Sequence, residues 1–230
     1  GYKIIDAEAR QVEVTCQENE GQIYWSTQSN YTGDIHIPSS VTSGGITYSV
    51  KRIGFCAFGN SSITSITIAE GIESISDYSF HNSSQLQTLS LPTTLKTIGY
   101  EAFYYCSGIT ELTLPEGLER IGGLAFSAMT SLVTVISKIE VPFEIRNDVF
   151  ATSDWNNVDR MTVYSPSSAT LVVPVGTTSL YQAIEGWTMF DEIAESKPVI
   201  AQANDGLWYS YINGGTTAKL IRGEYSNRSE

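Results

Sequence analysis

Residues 86–103 read LQTLSLPTTLKTIGYEAF, and this stretch decides the fold because its pattern returns along the chain. The phenylalanine that ends it recurs at spacings of 22, 23, 23 and 24 residues, and an isoleucine stands five residues before each one. A period of this length is typical of a solenoid, in which each coil of the chain is one structural unit. The recurring residues are Phe58, Phe80, Phe103, Phe126 and Phe150, with Ile53, Ile75, Ile98, Ile121 and Ile145.

Apolar and polar residues alternate in the Leu-x-Leu part of each repeat, which predicts a short strand. Successive strands are one coil apart, so we expect them to form a parallel sheet on one face. Residues 100–105 and their counterparts suit short helical turns on the opposite side, with the phenylalanine in the core. One repeat cannot bury its apolar side chains alone, and stacking on neighbouring coils must stabilise it.

The pattern from Leu86 to Cys106 resembles the BspA-like class of leucine-rich repeats found in bacterial surface proteins. The resemblance covers about residues 31–194, with departures at Ala69, at Ser79 and in a degenerate fifth unit at Ser137 to Phe150. It implies a leucine-rich-repeat solenoid that is mostly β with short helical turns. It also implies a role in adhesion to host or bacterial surface proteins.

The chain divides into four predicted regions. Residues 1–52 form a β-rich cap that contains the first repeat strand and an inserted hairpin at residues 43–50, and residues 53–150 form the repeats. Residues 151–197 close the stack with a short helix that begins after the cap residue Thr177 and stops at Gly186, followed by Trp187 and Phe190. Residues 198–230 form a terminal hairpin or begin another module.

Charge and composition limit the partners and the location. Thirteen basic and twenty-five acidic residues give a net charge of −12, which disfavours nucleic acid and anionic lipid. The sequence contains no run of eighteen apolar residues, so it predicts no membrane span. We expect that any signal segment was removed before Gly1. The sequence therefore predicts a secreted or cell-surface chain, which is compatible with a lipid-anchored precursor. Three cysteines, Cys16, Cys56 and Cys106, are too few for a disulfide scaffold and are interpreted as structural thiols.

Few residues offer catalytic chemistry. The two histidines, His36 and His81, lie in a strand and in a turn, where a structural role is the expectation. The pair Glu116 and Glu119 fits a charged, solvated edge better than a glycosidase dyad. No nucleophile, phosphate-binding or zinc motif occurs, so we predict no enzyme activity, no cofactor and no metal.

Two surfaces are candidates for binding. If the leucines of each strand point inward, the residues between them point outward and form a small, polar protein-binding face. A second candidate is an aromatic patch on the turns, which could stack on sugars or anchor a protein partner. The outward strand residues are Ser65, Thr67, Thr88, Ser90, Glu111, Thr113, Thr134 and Ile136; the patch comprises Tyr104, Tyr105 and Trp155, with Tyr78 and Tyr100 nearby.

The leading hypothesis is therefore a non-enzymatic adhesion module that binds a host or bacterial surface or matrix protein. The alternative is a carbohydrate-binding accessory protein that captures glycans at the cell surface. A purely structural spacer is the third interpretation.

Overall fold

The computed structural model describes residues 1–15, 30–153, 164–165, 167–197, 199–202, 208–212 and 217–220. It contains one short α-helix, one 3₁₀ helix and nineteen strands within these ranges. In chain order these are β1 (Tyr2–Asp6), β2 (Gln11–Val14), β3 (Thr32–Ile37), β4 (Ser40–Ser43), β5 (Ile46–Ile53), β6 (Ser62–Ile68), β7 (Ser74–Ile75), β8 (Thr88–Ser90), β9 (Thr97–Ile98), β10 (Glu111–Leu114), β11 (Arg120–Ile121), β12 (Thr134–Ser137), β13 (Thr152–Ser153), β14 (Tyr164–Ser165), β15 (Ser167–Val173), α1 (Thr178–Gln182), the 3₁₀ helix (Glu185–Thr188), β16 (Phe190–Glu195), β17 (Val199–Gln202), β18 (Trp208–Ile212) and β19 (Thr217–Leu220).

The Leu-x-Leu strands pair in parallel, one coil to the next, as the repeat predicts. They form two hydrogen-bonded groups, one of β3, β6 and β8 and the other of β10, β12, β15 and β16. The inward residues Ile66, Leu112 and Val135 are completely buried. The predicted fold class, a mostly β solenoid with parallel strands and few helices, is confirmed.

A second parallel sheet lies along the isoleucine that precedes each turn, and the sequence did not predict it. Its parallel part runs in the order β2, β5, β7, β9 and β11, while β1 and β4 pair antiparallel at its N-terminal end. From β5 to β11 only two residues per coil pair, for example Thr97 and Ile98 with Arg120 and Ile121. So short a strand shows no alternation that a sequence pattern can reveal.

The Ala-Phe segments are tight turns, so the helical geometry predicted for residues 100–105 is wrong. Two residues of each of the first four turns have positive φ, such as Glu101 (49°) and Tyr105 (59°), and this conformation stops a right-handed helix. Alternate N–H groups donate to carbonyls of the next coil, as Phe103 does to Ala125 (2.8 Å). The turns thus form a third ladder between coils, and their residues with positive φ are Cys56, Asn60, Tyr78, Asn82, Glu101, Tyr105, Leu124 and Ala128.

The recurring phenylalanines form one continuous stack in the core. Ring centroids of successive coils are 5.1, 4.9, 5.4 and 5.2 Å apart from Phe58 to Phe150, and the interplanar angles are 3°, 4°, 7° and 10°. All five side chains are buried. The stack and the flanking isoleucines hold the coils at a constant spacing, which sets the positions of the surface residues.

The C-terminal cap contains the predicted helix, but its two ends differ from the prediction. Thr177 does not cap α1 with its side chain, because its hydroxyl donates to the carbonyl of Pro174 (2.7 Å). Gly186 does not end the helix either; it is buried in the 3₁₀ helix, where any Cβ would collide with the backbone carbonyl of Ile145. Trp187 and Phe190 are buried at this end of the core.

Hairpins occur near both ends of the chain. Strands β4 and β5 form the predicted inserted hairpin, and its turn residues Gly44 and Gly45 have φ of 58° and 79°. Near the C-terminus β17, β18 and β19 form an antiparallel three-stranded sheet that contains the predicted hairpin strands. The predicted turn at 213–215 lies outside the described residues, and the domain boundaries remain predictions.

Candidate functional site

The outward residues of the Leu-x-Leu strands form two rows that run along the solenoid. Strand register pairs Ser65 with Thr88 and Thr67 with Ser90. In the second strand group, the register between β10 and β12 pairs Glu111 with Thr134 and Thr113 with Ile136. The predicted residues of each strand group therefore lie side by side, and Thr67, Thr88, Ser90 and Glu111 are exposed, whereas Ser65, Thr113, Thr134 and Ile136 are half-buried.

The register extends both rows to residues that sequence analysis did not select. Asp34 and His36 continue them at the N-terminal side, next to Ser65 and Thr67. Thr170 and Val172 continue them at the C-terminal side, and beyond these come Glu192 and Ala194. The alternation around Ile35 and Ile37 could have revealed the first pair, but the register of β15 and β16 needed the structure.

The extended face, made of the outward residues of β3, β6, β8, β10, β12, β15 and β16, is polar and slightly acidic. Its carboxylates are Asp34, Glu111 and Glu192, and none of its outward residues is Lys or Arg. Neighbouring hydroxyls hold two of these acids: Thr64 donates to Asp34 (2.9 Å) and Thr170 to Glu192 (3.3 Å). The face offers short hydroxyl side chains on a rigid backbone, which can bind a partner with little loss of side-chain entropy.

The aromatic residues of the turns lie on a different side of the molecule. Tyr104 and Tyr105 contact each other at 6.4 Å between ring centroids, and Tyr105 is 46 % exposed whereas Tyr104 is half-buried. Trp155, the third member of the predicted patch, lies outside the described residues. Tyr78 and Tyr100 contact each other at 5.5 Å, next to Phe55.

A histidine and a carboxylate lie close together next to these rings. The Nδ1 atom of His81 is 3.1 Å from Oε2 of Glu101, and both side chains are largely buried. The imidazole also stacks on Tyr104, with ring centroids 5.2 Å apart and an angle of 12°. His81 therefore has the structural role that the sequence predicts, and it joins the aromatic side chains of two coils.

The other reactive candidates are structural or solvated. His36 is exposed on β3, and Glu119 pairs with Lys96 (3.1 Å), not with Glu116. Burial raises the pKa of Cys106 to about 12, so this thiol is not a nucleophile at neutral pH. Cys106 forms no disulfide, and Cys16 lies outside the described residues.

Two broader features bear on metal and membrane. Among the side chains that the structure describes, no three of His, Cys, Asp or Glu are grouped so that they could hold a metal ion. In the same part of the chain, no helix has the length and apolar character needed to cross a membrane.

The coiled parallel strands, the phenylalanine stack and the 23-residue period together define a leucine-rich-repeat solenoid. The family model for the BspA type leucine rich repeat region matches residues 33–156 in six copies. The chain belongs to this family. A comparison with curated proteins gave no match.

Solved structures agree with the fold. The Treponema pallidum leucine rich repeat protein is 19 % identical, with a TM-score of 0.55, and the match covers 84 % of this chain and 78 % of that one. The pneumococcal vaccine antigen PcpA is 18 % identical, with a TM-score of 0.53 and coverage of 83 % and 45 %. Both likenesses extend beyond the repeats, to more than four fifths of this chain, and at these identities they show the fold alone.

Proposed function

We propose that this chain is a non-enzymatic module, secreted or displayed on a bacterial surface, that binds a host or bacterial surface or matrix protein through the outer face of its Leu-x-Leu strands. Membership of the BspA type repeat family supports the bacterial surface setting.

The observation that carries the proposal is the pair of aligned outer rows. Hydrogen bonding in register places Thr134 between Glu111 and Thr170, and Ile136 between Thr113 and Val172. One row is thus polar and carries the carboxylates Asp34, Glu111 and Glu192, while the other becomes apolar toward the C-terminal end. Within each strand group these rows form a strip with one strand spacing per coil, which suits an extended protein surface better than a small molecule, since a small molecule needs a concave pocket.

Binding to immobilised matrix proteins, measured by biolayer interferometry, tests the proposal. Glu111→Lys reverses a charge in the middle of the face, and Thr113→Arg adds a long side chain next to Ile136. We expect each variant to weaken binding at least tenfold. A bulky or wrongly charged side chain at the centre of an interface loses its hydration and gains no partner that compensates for the loss.

Matched substitutions away from the face serve as controls. Glu116→Lys makes the same charge change at an exposed turn, and Thr130→Arg adds the same side chain at another exposed turn. Both should leave binding unchanged. Equal losses in the face variants and the turn variants would contradict the assignment to this face, and no binding to any protein tested would favour a spacer.

Glycan capture is the second candidate, and the exposed ring of Tyr105 next to Tyr104 is the observation that favours it. Aromatic rings on a surface can stack on the apolar faces of sugars. Binding to a glycan array that is lost in Tyr104→Ala or Trp155→Ala, with the fold retained, would support this candidate.

A further inference from the structure

Three aromatic rings form a row across the turns of three successive coils. The ring of Tyr78 contacts Phe55 and Tyr100, each at 5.5 Å between centroids and close to edge-on. Phe55 is 49 % exposed and Tyr100 is 39 % exposed, although both are large apolar rings. We call Phe55, Tyr78 and Tyr100 the aromatic row; it lies on the turn side, apart from the outer strand face.

Carboxylates surround this row. The exposed Asp77 accepts the backbone N–H of Tyr100 (2.7 Å), and the buried Glu101 accepts a hydrogen bond from the Tyr100 hydroxyl. Two basic side chains near the row each lie against a carboxylate: His81, whose ring is 5.7 Å from that of Tyr78, is 3.1 Å from Glu101, and Arg146 forms a bidentate ion pair with Asp148. Asp77 is the exposed acid beside the rings. The ring faces are therefore exposed in a negative local field.

The titration of the tyrosines shows the sign of this field. Desolvation is the main cause that raises the pKa of Tyr78, and the charges of Glu101 and Asp77 raise it further. The pKa of Tyr100 is raised strongly by desolvation, by its hydrogen bond to Glu101 and by the charges of Glu101 and Asp148. Each of these carboxylates disfavours a second negative charge at the rings, and each would favour a positive one.

Exposed ring faces next to carboxylates are the arrangement that attracts organic cations, through the ring quadrupole and through charge. A neutral sugar would need the rings but not the acids, and an acidic partner would be repelled. We propose that the aromatic row, with Asp77, binds a lysine or arginine side chain from a basic segment of a partner protein. The aromatic row and the outer strand face are different surfaces, so an experiment can refute the binding proposed for one without refuting the binding proposed for the other.

A chemical-shift titration of the full chain with two blocked peptides tests the proposal. One peptide carries a single lysine between glycines, and the other carries acetyl-lysine at the same place. At physiological salt we expect the lysine peptide to shift the Tyr78 and Tyr100 signals, and the acetylated peptide to bind at least tenfold more weakly, because acetylation removes the charge. Equal binding of the two peptides would overturn the proposal.

Substitutions then separate the aromatic row from general attraction to an acidic protein. Phe55→Leu and Tyr100→Leu keep apolar area but remove one ring each, and each should weaken binding about three- to fivefold. Tyr2→Leu is the matched control, because it removes a similarly exposed ring on β1, at a residue without positive φ, and should have no effect. Tyr78 is left unchanged, since its φ of 59° makes substitution a test of folding.

Asp77→Asn provides an independent variant, because its amide oxygen can still accept the Tyr100 N–H while the charge is lost. We expect weaker binding and a smaller dependence on salt. Unchanged affinity in both ring variants would mean diffuse attraction to the net charge of −12 and would overturn the proposal. Glycan binding that is lost in Phe55→Leu and Tyr100→Leu, without peptide binding, would overturn it in favour of a sugar ligand.

Discussion

Replacing Phe103 by leucine should lower the free energy of unfolding by about 1–3 kcal/mol. Its ring stacks on Phe80 at 4.9 Å and on Phe126 at 5.4 Å, and both contacts are nearly parallel. Leucine keeps most of the apolar volume, so the main loss is two ring contacts at about 0.5–1.5 kcal/mol each. Alanine at the same place also leaves a cavity and should cost about 3–5 kcal/mol.

A double-mutant cycle tests whether this stabilisation passes only between neighbouring coils. The rings of Phe80 and Phe103 touch, so the leucine variants should cost about 0.5–1.5 kcal/mol less together than their sum, because either one removes the shared contact. Phe58 and Phe126 are separated by the two rings between them and should be additive within about 0.5 kcal/mol. Urea unfolding followed by circular dichroism measures both cycles.

Coupling between Phe58 and Phe126 as large as that between Phe80 and Phe103 would refute the reasoning. It would mean that the core responds as one cooperative body and that the energetics of the stack are not a sum of nearest-neighbour terms. Additivity in both cycles would refute it in the other direction, since parallel rings at 4.9 Å would then contribute no more than their buried area.

Three further predictions concern single side chains. The pKa of Glu70 lies below its ordinary value of 4.5, chiefly because it accepts the backbone N–H of Thr93. The extra stability of wild type over Glu70→Gln should therefore be present above pH 4.5 and disappear as the pH falls through the lowered pKa in acid denaturation; a difference that persists in acid would contradict this. Gly186→Ala should cost at least about 2 kcal/mol in urea unfolding, since its Cβ would collide with the carbonyl of Ile145; a neutral result would show that the cap relaxes easily. Burial raises the pKa of Tyr181 to about 12, so its contribution is complete below pH 10 and is lost as the pH rises toward 12. Absorbance titrations of wild type and Tyr181→Phe should differ by one phenol that ionises near pH 12, and a difference centred near the ordinary value of 10 would contradict this.

The repeat predicted the core because burial leaves a periodic record in the sequence. Each coil needs the same large apolar side chains at the same places, so Phe103 and Ile98 recur in phase with their counterparts. The outward direction of Thr88 and Ser90 follows from simple alternation on a strand. The candidate protein-binding face could therefore be outlined from sequence, although not its full extent.

The turn geometry could not be predicted from the same pattern. Glu101 and Tyr105 adopt positive φ without being glycine, because N–H groups of their turn donate to carbonyls of the next coil. Those bonds join residues about 23 positions apart, and no local propensity records them. The local sequence therefore predicted a helical turn at residues 100–105, where the chain instead forms a ladder of hydrogen bonds between coils.

The sequence by itself determined the solenoid, its period and its buried residues, since these depend on hydrophobic burial that is repeated in every coil. Only the tertiary structure decided which surface side chains meet. Phe55 and Tyr100 each lie three residues before the recurring phenylalanine of their coil, whereas Tyr78 lies two residues before its own. The repeat pattern therefore does not predict that the ring of Tyr78 contacts both of the others. Contacts between coils decide that placement, because the stacking distance brings together residues that differ in repeat position.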